Sequence, residues 1–495
     1  MPLAHRCLGN ELVCTLRMMR PVRAMAIVTL VWLSASVAAC AARRLPPSTR
    51  EVRSTVDVSA SIARGCFRCL EQAYRAAERD NPPQAFEAAI LLALRAKELG
   101  IPFEEWLTRA RMLVGDDRRR MVYLDIAASM AVDPRSGDRD EIFKATLSVV
   151  KLSEAARGWR EALSVAPGSA PFHEYVSLTL ACGVGSRDEA AAAIDRALDD
   201  YATVPLVRFR AGLCRTKGPS VFAEIRAADP EFVEADYILG VYALGERPRP
   251  DYDSALERLT NAANAFPQSP TIWSALGDLR QLREEWSEAL AVYDHIIERV
   301  GTHRDALLGR TVALSRLGRH EEAIAAASRV IDLGGWYIGQ ASYWRAWNEL
   351  ALDQLAMARA DADRAKTQMV NAAVFLVSGL IERRFTRLES AEREFDQAHS
   401  LDASACDASF YLGVVRGERA KLEMARTALL ESDTCYTGII AALHRRIDEI
   451  TAGRGRADLI ARLVAGQQRA IDEAQMRLDE ARTLISQIAA RLGAN

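Results

Sequence analysis

Glycine (28) and proline (17) are modest in a chain of 495 residues, and stretches where β-branched or aromatic residues alternate with polar ones are scarce. That argues against a β-sandwich and against a doubly wound sheet. The chain also lacks an excess of either charge: 64 Lys+Arg face 66 Asp+Glu, a formal net charge of −2. A generic polyanion binder needs a basic balance, so nucleic acid is not an expected partner. There is no GxSxG, no P-loop, no glycine-rich dinucleotide turn and no HExxH. His173, His295, His303, His320, His399 and His444 stand outside any ligand spacing. These absences point away from an enzyme, a cofactor and a metal centre. What is present is 49% hydrophobic and 26% charged residues, with alanine abundant, which suits a helical chain with a well-filled core.

The N-terminus reads as an address. Residues Ala24 to Ala39 form an apolar run behind Arg17, Arg20 and Arg23, and end in small residues. A charged region, a short apolar stretch and a small-residue cut site make a secretory signal, too short for a comfortable membrane span. Val37-Ala38-Ala39-Cys40 resembles the lipobox of bacterial lipoproteins. In that family the cysteine thiol is acylated and becomes the new N-terminus. The resemblance implies that residues 1–39 are a signal peptide, with Met18 or Met19 as an alternative start. It further implies that Cys40 carries the lipid, and that the protein sits on the cell envelope. Ala41 in place of Asp directs the expectation to the outer membrane, facing the periplasm. Removal of residues 1–39 leaves 60 basic and 65 acidic residues, a net of −5. Such a surface has no pull toward anionic lipid, so attachment rests on the acyl chains. Residues 40–58, with Pro46-Pro47, read as a tether.

A repeat occupies most of the rest. Ala162, Ala197, Ile225, Ala262, Ile296, Val330, Ala365, Ala398 and Ser432 recur at steps of 35, 28, 37, 34, 34, 35, 33 and 34. Three residues before each stand Trp159, Ile194, Phe222, Leu259, Tyr293, Ala327, Ala362, Phe395 and Leu429. A small residue lets a second helix sit close on a first, and the bulky one fills the gap. The step of 37 reflects an insertion at Glu246 to Pro250, and the step of 28 a shortened unit near Lys217-Gly218-Pro219. The pattern, with Trp273, Leu276-Gly277, Ala289 and Tyr293 in its clearest unit, resembles the tetratricopeptide family from about residue 139 to 435. The resemblance implies an all-α, right-handed α-solenoid of tetratricopeptide-like helix hairpins.

Upstream, residues 59–138 read as helices over Ser61–Asp80, Pro83–Leu99, Pro102–Val114 and Asp117–Met130, taken as degenerate opening repeats. Downstream, residues 436–495 read as a separate long-helix hairpin. Ile460, Val464, Gln467, Ile471, Ala474, Leu478, Ala481, Ile485, Ile488 and Leu492 make a heptad seam. The second helix, about 457–491, outreaches its partner, so its seam needs another surface. Capping of the solenoid, filling of its groove and a homodimer are the alternatives.

Six cysteines remain besides Cys40 in the exported part: Cys66, Cys69, Cys182, Cys214, Cys406 and Cys435. In an oxidising compartment thiols tend to be oxidised, with Cys182–Cys214 and Cys406–Cys435 as candidate pairs and Cys66 with Cys69 as a local disulfide or two core thiols. Six cysteines allow fifteen full pairings, so connectivity stays open. Cys66-Phe67-Arg68-Cys69 is a CxxC without a thioredoxin-like context. In related repeats the first helices line the concave surface. The corresponding residues here are Leu308, Val312, Tyr343, Trp347, Leu376, Leu380, Phe410 and Val414, a long apolar row that Ser274 and Asp278 open with polar character. An exposed row of that kind takes an apolar helix or an extended peptide, and Arg383 and Arg384 nearby suit a carboxylate. The leading expectation is therefore a membrane-anchored scaffold or adaptor binding a peptide or helix of a protein partner. The alternative is an envelope hydrolase or thiol-redox protein with an irregular site around Cys66 and Cys69.

Overall fold

The computed structural model describes residues 56–129, 155–214, 219–245, 251–335, 337–452 and 456–493. The leader, Cys40, most of the tether, the insertion at 246–250 and the boundary expected at 138/139 lie outside them.

Small-beside-bulky spacing produces stacked antiparallel helix pairs. After the described part of α6 (155–163) come α7 (Ala170–Val184) and α8 (Arg187–Asp200), then α9 (Pro205–Cys214) and α10 (Ser220–Ala228). Next are α11 (Glu234–Gly245) with α12 (Tyr252–Ala265), α13 (Pro270–Leu282) with α14 (Trp286–Val300), and α15 (Arg304–Arg316) with α16 (His320–Asp332). Then follow α17 (Ile338–Ala351) with α18 (Leu355–Gln368), α19 (Ala372–Arg384) with α20 (Leu388–Leu401), and α21 (Cys406–Glu418) with α22 (Leu422–Ala452). The described residues contain helices and no strand: the chain is an all-α tetratricopeptide-like solenoid.

The code seen in the sequence is the packing. From Ala197 to Ser432 every small or aliphatic member of the series is buried, as is every member three residues earlier from Ile194 to Leu429. A Cβ on Gly379 of α19 would come within 2.5 Å of the Phe395 ring of α20, which is how closely the two helices approach. The hairpin turns repeat as well. Left-handed backbone recurs at Glu284, Gly318, Asp353, Thr386 and Ala420, at φ of 56°, 74°, 59°, 59° and 59°. The shortened unit is real: α9 and α10 have only 10 and 9 residues.

The N-terminal helices depart from the expected linear stack. The stretch 61–80 is two helices, α1 (Val58–Arg64) and α2 (Phe67–Ala77). Gly65 ends α1 at φ +72°, and Leu206 of α9 packs where its Cβ would be, 2.5 Å away. Cys66 then N-caps α2, its sulfur accepting from the Cys69 N–H. After these come α3 (Pro82–Glu98), α4 (Glu104–Val114) and α5 (Arg118–Ser129).

Every residue of α3 from Ala85 to Ala96 is buried. A helix apolar all round must be enclosed on all sides, and α3 is. In a simple solenoid each unit touches only its neighbours. Here Glu87 accepts from the Ser169 N–H at 2.7 Å and from its hydroxyl at 2.5 Å, at the start of α7. Glu98 accepts from Tyr175 of α7 and Arg210 of α9, each at 2.8 Å. Arg95 pairs with Glu234 of α11 at 2.8 Å and lies 3.9 Å above the Phe209 ring. Ser269, the N-cap of α13, donates its hydroxyl to Leu99 O. So α3 packs on its sequence neighbours α2 and α4 and in addition bonds to α7, α9 and α11, with the turn that follows it on α13.

The C-terminal boundary also moves. Residues 422–452 form one uninterrupted helix of 31 residues, so the last repeat and the first arm of the terminal hairpin are continuous. No proline interrupts the segment, and Gly438 alone does not break a helix held on both sides. The return helix α23 (Ala457–Gly493) has 37 residues, roughly 55 Å. From Ile471 onward its buried residues follow the expected seam: Ile471, Ala474, Leu478, Ala481 and Ile488. Before that the buried positions are Leu459 and Gly466, because this half also faces α12–α14.

Candidate functional site on the inner face

Of the apolar row expected to line a groove, Phe410 is buried and the other seven residues are half-buried. Phe410 is 1% exposed, with the Arg477 guanidinium of α23 5.2 Å from its ring centroid. Leu376, Leu380 and Val414 pack into the apolar cluster that contains Ala474, Leu478, Ala481 and Ile488 of α23. Tyr343 and Trp347 pack against Ala346, Ala358 and Ala362, and Leu308 against Leu307, Ala327 and Val330. Val312 is half-buried. Arg383 pairs with Glu418 at 2.6 Å and Arg384 with Asp353 at 3.3 Å, so both guanidinium groups already hold acids of this chain. The physical reason is local. Near the C-terminal end the chain supplies its own covering helix.

The open part of the inner face lies earlier, where the row is polar. A cavity of about 530 Å³ is lined by Tyr237 of α11, Ser274 and Asp278 of α13, His303 and Asp305 at the start of α15, and Tyr337 just before α17. Tyr293 of α14 donates its hydroxyl to Asp278 at 2.8 Å and accepts from the Gln281 side chain at 2.8 Å. Burial raises Asp278 above the usual carboxylate range, and Tyr293 above the usual phenol range. His303 caps α15: its Nδ1 accepts from the Ala306 N–H at 3.2 Å. Arg304 donates to Leu333 O at 2.9 Å and fixes the start of α15 to the end of α16. Thr271, in the cavity wall, meets the α3–α4 turn, since a Cβ on Gly100 would fall 2.0 Å from its Oγ1. The cavity thus begins where α3 ends. Sequence reasoning singled out Ser274 and Asp278. It missed Tyr237, Asp305 and the role of His303, which only the stacking of three hairpins brings together.

All six cysteines are paired, as Cys66–Cys69, Cys182–Cys214 and Cys406–Cys435. The second joins the C-terminal ends of α7 and α9. The third joins the start of α21 to the middle of α22. Cys66, Cys69 and Asp229 are the converging group of ligand-type side chains among the described residues, their ligand atoms within 4.8 Å of one another. The two sulfurs are bonded to each other, and Asp229 takes two hydrogen bonds from Arg64 at 3.0 and 2.9 Å, so this arrangement leaves no lone set of ligands. Both sulfurs belong to residues at 0% exposure, out of reach of an external thiolate, which a thiol-redox site needs. Among the described residues no helix is long and apolar enough to cross a membrane.

One buried cluster titrates. Glu349 of α17 is 1% exposed and Asp361 of α18 3%, and Arg345 serves both. It donates to Asp361 at 2.7 Å and stands 3.9 Å from Glu349. Burial, and then the neighbouring Asp361 charge, push Glu349 up to about 8. Its folded value lies above its unfolded one, so the protonated form belongs to the fold. The stability it contributes is full below the ordinary glutamate range, near pH 4.5, and is lost as pH rises toward about 8. The urea midpoint should fall across that window, and Glu349→Gln should remove most of that slope while raising stability at pH 8. Parallel pH curves for the two proteins would contradict it.

No family model and no curated protein matches this chain. Many solved structures are similar to parts of it, three of them as follows. YrrB, described as a TPR protein with an unusual peptide-binding site, is 20% identical, with 39% of this chain and 99% of that chain covered at a TM-score of 0.32. A tetratricopeptide repeat protein from Parabacteroides merdae is 15% identical, with 51% and 99% covered at 0.34. The Cut9–Hcn1 hetero-tetramer of the APC/C is 13% identical, with 86% and 95% covered at 0.33.

Proposed function

We propose that this chain is an interaction scaffold that receives an extended segment of a partner protein in the cavity between α11 and α17, and that it is held at the bacterial cell envelope by lipid on Cys40. The observation that carries the reading is the occupancy of the inner face. The chain's own α3 bonds to α7, α9 and α11, and α23 covers Phe410 on α21, while an opening of about 530 Å³ lies on α11, α13 and the starts of α15 and α17. That opening is lined by hydroxyl, carboxylate and imidazole groups, which suit the backbone and polar side chains of an extended peptide. From Ala474 onward the heptad seam of α23 finds its partners within the chain, on α21 and α22. This favours capping over a second copy.

A photo-crosslinking residue at Ser274 should trap one recurrent protein segment from envelope extracts. The same group at Met357, exposed on α18, should not. Equal trapping at both positions would defeat the cavity as the binding surface. Labelled palmitate should enter the protein and be lost with Cys40→Ser. Retained label would remove the lipid attachment.

A further inference from the structure

The two halves of α23 are held by different forces. Residues from Ala474 to Leu492 sit in an apolar cluster with α21 and α22, reinforced by Arg477 on the Tyr411 hydroxyl at 2.7 Å and Arg482 on Asp433 at 2.6 Å. That cluster does not extend to the first half of the helix. There, beside the buried Leu459, the helix crosses to helices some two hundred residues earlier in the chain, and the polar contacts that join it to them all end on carboxylates. The Arg456 N–H donates to Asp253 of α12 at 3.0 Å. Arg462 pairs with Glu285 and Arg469 with Glu284, both in the α13–α14 turn. Gly466 lets the backbone pass directly over the Glu284 carboxylate, because a Cβ there would lie 2.7 Å from Oε1. The two guanidinium groups that make these ion pairs stand in water: the Arg462 and Arg469 side chains are 40% and 65% exposed.

We infer that the α22–α23 hairpin is an ionic strap, anchored at its base on α21 and latched at its tip on the α12–α14 turns, that reversibly closes five hairpins into a ring. The curvature of a solenoid is the sum of small rotations between units. A strap joining the two ends of the series fixes that sum, and its release lets the inner face open. Exposed ion pairs weaken as salt screens them, the Debye length falling to about 3 Å at 1 M. The Glu285 carboxylate keeps Arg280 and Arg283 when Arg462 leaves, so unlatching strands no buried charge.

Hydrogen exchange on the full, oxidised chain tests this. Raising salt from about 0.05 M to about 1 M should speed exchange of the amides in 457–470 roughly fivefold, with α12–α14 and residues 474–492 unchanged. Arg462→Glu with Arg469→Glu should do the same at low salt, and adding Glu284→Arg should restore part of the protection by reversing one pair. Exchange that ignores both salt and substitution would overturn the strap. So would acceleration of α12–α14 in step with the tip, which would make these pairs part of the fold rather than a latch.

Discussion

Arg95→Met is expected to destabilise the N-terminal half by about 3–5 kcal/mol, the usual cost of stranding one member of a buried ion pair. Arg95 is 0% exposed and Glu234 1%, and burial alone pushes Glu234 toward its neutral form. The guanidinium also covers Phe209 and Phe232, with centroids at 3.9 and 5.3 Å. Without Arg95, Glu234 keeps backbone N–H donors, that of Phe67 at 2.5 Å among them, but no cation in place of the guanidinium. Urea unfolding followed through exchange of the α3 amides would measure the loss. Arg95→Met with Glu234→Leu should recover much of it, since an apolar pair of similar volume often replaces a buried ion pair without penalty. A loss below about 1 kcal/mol in the single variant would mean that α3 is not locked to α11 through this pair.

The two long-range disulfides carry the next largest effect. Cys182–Cys214 and Cys406–Cys435 close loops with sequence separations of 32 and 29. Chain-entropy estimates give each about 3.5 kcal/mol through the unfolded state. Replacing either pair by serine should cost about that much, read as a shift in the urea midpoint. The Cys66–Cys69 bridge spans only three positions, so its loop term is roughly half as large. A stability ranking with Cys66–Cys69 first would show that native packing around the sulfurs, rather than loop closure, sets the contribution.

The repeat was legible because its packing code is local. Ile194 with Ala197, or Phe395 with Ala398, states in four residues that a second helix presses on a first. The place of α3 was not legible by the same means. Its apolar residues from Ala88 to Ala96 identify a buried helix, and periodicity alone does not say whether neighbours or distant helices bury it. The boundary at 435/436 failed for a related reason: the repeat period stops there, but nothing stops the helix. The cavity was half visible, as the polar start at Ser274 and Asp278. The covering of the row at its Phe410 end was not legible, because it depends on α23, packed across it from residues some seventy positions on.

The enclosure of α3 sets a delay in synthesis. Its twelve consecutive buried residues leave the ribosome early, yet the latest partners that meet them, Phe232 and Glu234 on Arg95, are made about 140 residues later. At 5–20 residues per second that interval is roughly seven to thirty seconds. Throughout it α3 has its sequence neighbours α2 and α4 to pack on, while its face toward α7–α11 stays uncovered. The nascent chain should therefore depend on a holding chaperone more than a solenoid of equal length whose units each cover the one before.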